Sequence, residues 1–258
     1  MSADPFRADP FRADPFRADL PTFTNFRDVG GLRTVDGGAL RSGVLFRSDS
    51  VQDITEAEAE VLVDKLGLRY LIDLRTGPEA VQQGRGPLAN LPVGYLNIPL
   101  VDVDGPKGPP GRVLLDFYLD HLEHDQNLPI AIETVAHAVR HPTLVHCAAG
   151  KDRTGMTILL VELLCGVTVE DATADFLITR TNMEAIRTRL RGWPRYAANM
   201  ARLSAEIYDC EQHTIDGLVE ELHRRYGTAA DWARAKGLPE ESIALLRRRL
   251  VEAQDPRS

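Results

Sequence analysis

Thr143-Leu-Val-His-Cys-Ala-Ala-Gly-Lys-Asp-Arg-Thr-Gly155 is the stretch on which the reading of this chain turns. The apolar run from Thr143 to His146 has the character of a short buried strand and leads straight into Cys147; a helical pattern leaves from Thr154. Between them stand only the six residues Ala148 to Arg153. A loop of that length, wrapped at a helix N-terminus, aims several backbone N–H groups at one centre, where the helix dipole also favours negative charge. The expected product is an anion cradle formed by Ala148, Ala149, Gly150, Lys151, Asp152 and Arg153.

The side chains around this cradle suggest phosphoryl transfer. Cys147 at the rim would have its thiolate, the nucleophilic form, stabilised by the loop N–H groups and by Arg153. The planar fork of Arg153 suits two phosphate oxygens at once. Positioning and charge stabilisation are what a loose in-line transfer needs, so the chemistry calls for no metal or other cofactor. Asp152, inside the loop, can protonate a leaving oxygen and then act as base on water; Asp102 and Asp104, where a strand enters a Gly- and Pro-rich loop, are the alternative acids. Lys151 is expected as a mobile positive charge at the mouth; Asp73 either braces the loop by a salt bridge with Arg75 or touches substrate, and of the bracing candidates it is the one most expected as a substrate contact. His146 is read as a support beneath the loop. Thr154 either caps the helix or helps release the cysteine. Gly150 and Gly155 mark places where the backbone approaches phosphate or adopts conformations closed to other residues. For Arg47, Asp49 and Arg75 a bracing role is favoured over substrate contact.

Working outward, the fold class is α/β. Val44 to Arg47, Tyr70 to Leu74 and Tyr95 to Leu100 are further short apolar runs separated by helix or loop segments, the pattern of a mainly parallel sheet flanked by helices. Thr55 to Leu66 reads as a capped helix ended by Gly67. Asp102 to Arg112, rich in Gly and Pro, cannot be regular structure and is placed at the border of a site. From about Val169 to Glu252 the pattern is mostly helical, including Thr214 to Tyr226 and Pro239 to Val251. Residues 1–19 carry Ala-Asp-Pro-Phe-Arg three times and part of a fourth copy, a repeat that cannot build a core and is read as a flexible tail. The remainder, 20–258, is expected to form a single domain.

The composition agrees. With 258 residues, 43% hydrophobic and 26% charged, the chain suits a soluble globular protein. A formal charge of −8 supplies no basic field for nucleic acid. No run of 18 apolar residues offers a membrane span, and neither this nor the N-terminus suggests export, so a cytoplasmic location is expected. Three widely spaced cysteines, Cys147, Cys165 and Cys210, fit neither a disulfide framework nor a zinc site. Arg247-Arg-Arg249 reads as a solvated helix face, with peripheral membrane contact as the alternative.

The loop resembles the Cys-x5-Arg signature of the protein tyrosine phosphatase superfamily, in the His-Cys-x-Ala-Gly-Lys-Asp-Arg-Thr-Gly form found among bacterial tyrosine and lipid phosphatases. Asn25-Phe-Arg-Asp-Val29, Leu45-Phe-Arg-Ser48, Asp73-Leu-Arg75, Ala174-Asp-Phe-Leu177 and the closing helices from Tyr226-Gly to Leu250 are similar to that family too. The resemblance implies its α/β fold with a helical lid, here about 182–208, and Asp152 as general acid. It implies activity on phosphotyrosine, extending to phosphoserine, phosphothreonine or phosphoinositides, so the expected partners are phosphorylated proteins or phosphoinositides. The rival from another class is a catalytically silent phosphotyrosine- or phosphoinositide-binding module. A nucleoside triphosphatase is excluded because Asp152 follows Gly150-Lys151 where Ser or Thr is required.

Overall fold

A computed structural model describes residues 19–100, 109 and 111–252. Its centre is a five-stranded sheet built from β1 (Arg27–Asp28), β3 (Leu45–Ser48), β4 (Tyr70–Asp73), β5 (Gly94–Asn97) and β6 (Thr143–His146), in the order β1-β3-β6-β4-β5. β3, β6, β4 and β5 run parallel, and β1 joins the edge antiparallel to β3. The expected mainly parallel sheet is therefore present. β2 (Ala39–Leu40) leaves it and pairs with β7 (Val251–Glu252), a strand at the far end of the chain where the pattern suggests only helix.

Strand alternation divides the interior into two cores. On β3, Leu45 joins one and Phe46 the other; on β4 the split is Ile72 against Leu71, and on β6 Val145 against Leu144. The smaller core gathers Leu20, Phe23, Phe26, Ala59 of α1 (Glu56–Glu60) and Leu62 and Val63 just after it. That helix is started by Thr55, whose side chain accepts from Glu58 N–H in a reciprocal capping box. It continues as a wider turn over Val61–Lys65, and Gly67 ends the segment at φ +69°.

The larger core lies under α3 (Val113–His124), α4 (Asn127–Ala138), α5 (Asp152–Leu164) and α6 (Val169–Arg191), closed off by α8 (Gln212–Tyr226), α9 (Ala229–Ala235) and α10 (Glu240–Leu250). Two smaller helices matter for the site: α2 (Gly77–Gln83) after β4, and α7 (Pro194–Arg202) after α6. Because β6 is the central strand, the loop at its carboxyl end is surrounded by the rest of the sheet. Arg247-Arg-Arg249 is not simply a solvated face: Arg247 Nε donates to Leu164 O at 2.7 Å, and Arg249 Nη1 donates to Ala136 O at 3.0 Å and His137 O at 2.9 Å. Two of its three charges thus satisfy carbonyls at the ends of α5 and α4.

Candidate active site

α5 begins at Asp152, two residues earlier than its sequence pattern suggests, so the connection from β6 is only Cys147 to Lys151. Its carbonyls are all engaged. His146 Nδ1 lies 3.2 Å from Cys147 O, and Arg189 Nη2 donates to Ala148 O at 2.7 Å. Asn25 Nδ2 donates to Ala149 O at 3.2 Å and Gly150 O at 3.1 Å, and Arg47 Nη2 donates to Gly150 O at 3.1 Å. Lys151 O receives the Gly155 N–H. In a trans peptide the N–H points opposite to the C=O, so carbonyls held from behind turn the following N–H groups to the other side. Among the described residues, the N–H groups of Ala149, Gly150 and Lys151 have no acceptor. With the first turn of α5 behind them they form a positive concavity.

The props are themselves fixed. Asp49 accepts from Thr24 N–H at 3.0 Å and Asn25 N–H at 3.1 Å, and pairs with Arg189 at 2.9 Å. Arg27 and Arg47 both engage Asp175 of α6, with Arg27 Nε at 2.7 Å. Burial pushes the Asp175 carboxyl up, but the two guanidinium groups and their hydrogen bonds outweigh it and hold it at about 2. Arg47 and Asp49 are thus braces. Gly150, at φ +65°, passes so close to β3 that a Cβ would lie 2.6 Å from Ser48 C and O. The need for glycine there is set by strand contact as much as by any ligand. Gly155 faces helix packing rather than an anion: its Cβ would fall 2.5 Å from the Phe176 ring.

Arg153 is held by α2. Its Nη1 and Nη2 donate to Glu79 Oε2 at 2.8 Å and Oε1 at 3.2 Å. Glu79 also accepts from Thr76 N–H at 2.8 Å, Thr76 Oγ1 at 2.7 Å and Tyr196 OH at 2.5 Å. Burial alone would raise the Glu79 carboxyl; Arg153 and these donors win, keeping it well below the usual carboxylate range. Tyr196 belongs to α7, so one carboxylate links the loop arginine to the segment after α6.

Several expected site residues lie elsewhere in role. Asp73 does not face the cradle: it is wholly buried, gripped by Arg75 at 2.7–3.1 Å, and accepts from Tyr95 OH at 2.9 Å. Strand alternation puts it beside His146, 3.7 Å from Nε2, on the Leu71 and Leu144 side of the sheet. Arg75 in turn donates to Gln83 Oε1 at 3.1 Å and Gly84 O at 2.7 Å, so the pair anchors α2. His146 is fully buried, and its pKa falls to about 4 because burial, with help from Arg75, outweighs Asp73. Lys151 is not a mobile charge: it is 2% exposed, and Nζ donates to Ile207 O and to Asp209 O at 2.8 Å. Thr154 is no cap, since the helix starts before it and the cap position falls to Lys151; its buried Oγ1 has no hydrogen-bond partner among the described residues. Asp102 and Asp104 lie outside the described residues. Burial pushes the Cys165 thiol up to about 12 and the Cys210 thiol up to about 11, which leaves neither as a thiolate at neutral pH.

Cys147 and the loop N–H groups thus stand between β6 and the first turn of α5, which carries Asp152 and Arg153. Beyond that loop the resemblance runs the length of the chain: a model of the tyrosine phosphatase family matches residues 18–252. The chain belongs to the tyrosine phosphatase family. This tyrosine phosphatase is 26% identical to the triple specificity protein phosphatase PtpB of Mycobacterium tuberculosis over 273 residues, covering 89% of this chain and 97% of that one. A tyrosine-protein phosphatase of Nostoc commune is 25% identical over 235 residues, 83% of this chain and 76% of that one. Among solved structures, the crystal structure of P. aeruginosa TpbA aligns at 17% identity over 64% of this chain and 90% of one determination, with a TM-score of 0.37.

Membership makes the chain a phosphatase acting on phosphorylated substrates. The tyrosine phosphatase loop depends on residues that carry no signal of a site in the sequence, namely Glu79, Arg189 and Tyr196, and on Asn25, which stands out there only as the start of a family motif. Glu79 does have a local signal, since Thr76-Gly-Pro-Glu79 is a capping-box spacing; its second duty toward Arg153 has none. Among the described residues no helix is long and apolar enough to cross a membrane.

Proposed function

We propose that this phosphatase cleaves phosphate monoesters through a phosphocysteine on Cys147. The supporting observation is the loop itself, with its carbonyls bound from behind, unpartnered N–H groups on the other side, and Cys147 and Arg153 at its two ends. In the first step Cys147 Sγ attacks phosphorus in line with the leaving oxygen, while Arg153 and the N–H groups hold the three equatorial oxygens. Asp152 gives its proton to that leaving oxygen. In the second step Asp152 takes a proton from water as the water attacks phosphorus, and the S–P electrons return to sulfur.

Phosphotyrosine is the proposed principal substrate, with phosphoserine, phosphothreonine and phosphoinositides as further ones; a specificity wider than phosphotyrosine accords with the triple specificity of the mycobacterial relative. Of the expected lid, about 182–208, residues 182–191 continue α6, and the part from Trp193 onward is proposed as the lid. It is tied to the site by Tyr196 on Glu79 and by two carbonyls on Lys151, so a substrate that enters displaces these bonds and frees Lys151 for a second anionic group.

The test is turnover of p-nitrophenyl phosphate with EDTA present. Wild type is expected to be active, Cys147→Ser inactive, and Asp152→Asn reduced by about 10²-fold or more on poor leaving groups. An Asp152→Asn enzyme with full activity would move the acid to Asp102 or Asp104, and a wild type that binds phosphate without turnover would indicate a silent binding module. Phosphopeptide and phosphoinositide panels on the active forms then rank the substrates.

A further inference from the structure

Asp152 has a neighbour to which this mechanism gives no task. Tyr118, on α3, is wholly buried, and its hydroxyl donates to Asp152 Oδ1 at 2.7 Å. The ring has little freedom. It packs edge-on to Phe176 at 6.0 Å and beside Phe117 at 5.8 Å, and Phe176 is pressed against the backbone at Gly155. Burial first, then Asp152, Cys210 and Cys147, push the phenol well above its ordinary value, so the hydroxyl keeps its hydrogen and remains a donor.

A carboxylic acid carries its proton on one oxygen, and an oxygen already accepting a short hydrogen bond is the poorer place for it. Oδ1 of Asp152 accepts from Tyr118 and lies 3.3 Å from Lys151 Nζ, whereas Oδ2 has no partner among the described residues. The two oxygens are thus inequivalent before any substrate arrives. We propose that Tyr118 is a positioning residue of the phosphatase, anchoring Oδ1 so that Oδ2 is the atom that gives the proton to the leaving oxygen and later takes one from water. This inference rests on the reading of Asp152 as general acid.

The proton balance strengthens the case. As the S–P bond forms and the P–O bond breaks, the Oδ2 proton goes to the leaving oxygen and Asp152 becomes an anion. The Tyr118 hydrogen bond is then charge-assisted and stronger than in the ground state, which is differential stabilisation of the kind that accelerates a step. When water attacks the phosphocysteine its proton returns to Oδ2 and the cycle closes with no other donor.

Tyr118→Phe removes the hydroxyl and keeps the ring, so it separates positioning from packing. With Tyr118→Phe, kcat/KM for phenyl phosphate, whose leaving oxygen needs the proton, is expected to fall about tenfold or more relative to that for p-nitrophenyl phosphate, the rate equivalent of one lost hydrogen bond to a charged group. Inhibition by inorganic phosphate, which uses the clamp but transfers no proton, is expected to stay within about twofold and reports an intact pocket. In an Asp152→Asn background the same substitution should add no leaving-group-dependent loss. Equal losses on both substrates, or a full additional loss in that background, would overturn the assignment of Tyr118. Should Asp152→Asn alone show no leaving-group dependence, the reading of Asp152 fails instead, whatever Tyr118→Phe does.

Discussion

Gly150 carries two constraints in one residue: a positive φ and the end of β3 standing where a Cβ would go. A methyl group there must push the loop away from Ser48, and with it the carbonyl that Asn25 and Arg47 hold. Gly150→Ala is therefore expected to lower stability by at least about 2 kcal/mol, from left-handed strain plus overpacking, and to weaken phosphate binding, measured by urea melts and by phosphate inhibition. Cys147, Asp152 and Arg153 are legible in the sequence because they sit within seven consecutive residues whose spacing is the signal. Their supports are not, since Asn25, Glu79 and Arg189 reach the loop from distant parts of the chain and nothing local to any of them points at it. The two clearest reversals have one cause. Lys151 is expected free at the mouth and Asp73 at the substrate in preference to its Arg75 salt bridge, yet the fold supplies partners to both: Arg75 with Tyr95 for Asp73, the carbonyls of Ile207 and Asp209 for Lys151.

Elements follow the same division between local and distant. The strands β3, β4 and β6 and the start of α1 are legible from apolar runs and a capping box, which are local. The first turn of α5 is hidden because Asp152 and Arg153 resemble loop chemistry, while the structure uses them as helix. The stretch after α6 shows both sides: Pro194, the first residue of α7, is a local start signal, but nothing local reveals that Tyr196 ends on Glu79. If that hydroxyl is what holds α7 down, Tyr196→Phe should speed amide exchange in Pro194–Arg202 by on the order of tenfold, the loss of about one hydrogen bond, and leave β4 and β6 unchanged. An equal rise in the sheet would mean that the bond supports the whole domain.

For the molecule as a whole, the buried polar layer beneath the loop makes stability depend on pH. His146 titrates at about 4 in the fold and near 6.5 when unfolded, so the unfolded chain binds a proton that the folded one refuses. Its contribution is complete above about pH 6.5 and is lost as the pH falls toward 4, a change on the order of 3 kcal/mol. Glu79, held low by Arg153, adds stability that is present above the ordinary glutamate range and disappears only at lower pH. Denaturant titrations between pH 7 and 4 should show the first loss in wild type and a flatter profile in His146→Gln; an equally steep profile in the variant would assign the effect to another group. The short pairing of β2 with β7 has a consequence of a different kind. During synthesis Ala39–Leu40 leaves the ribosome roughly 200 residues before Val251–Glu252, a wait of roughly 10–40 s at ordinary translation rates. Until then the nascent chain carries an open strand edge, and a chaperone or a second polypeptide competes for it.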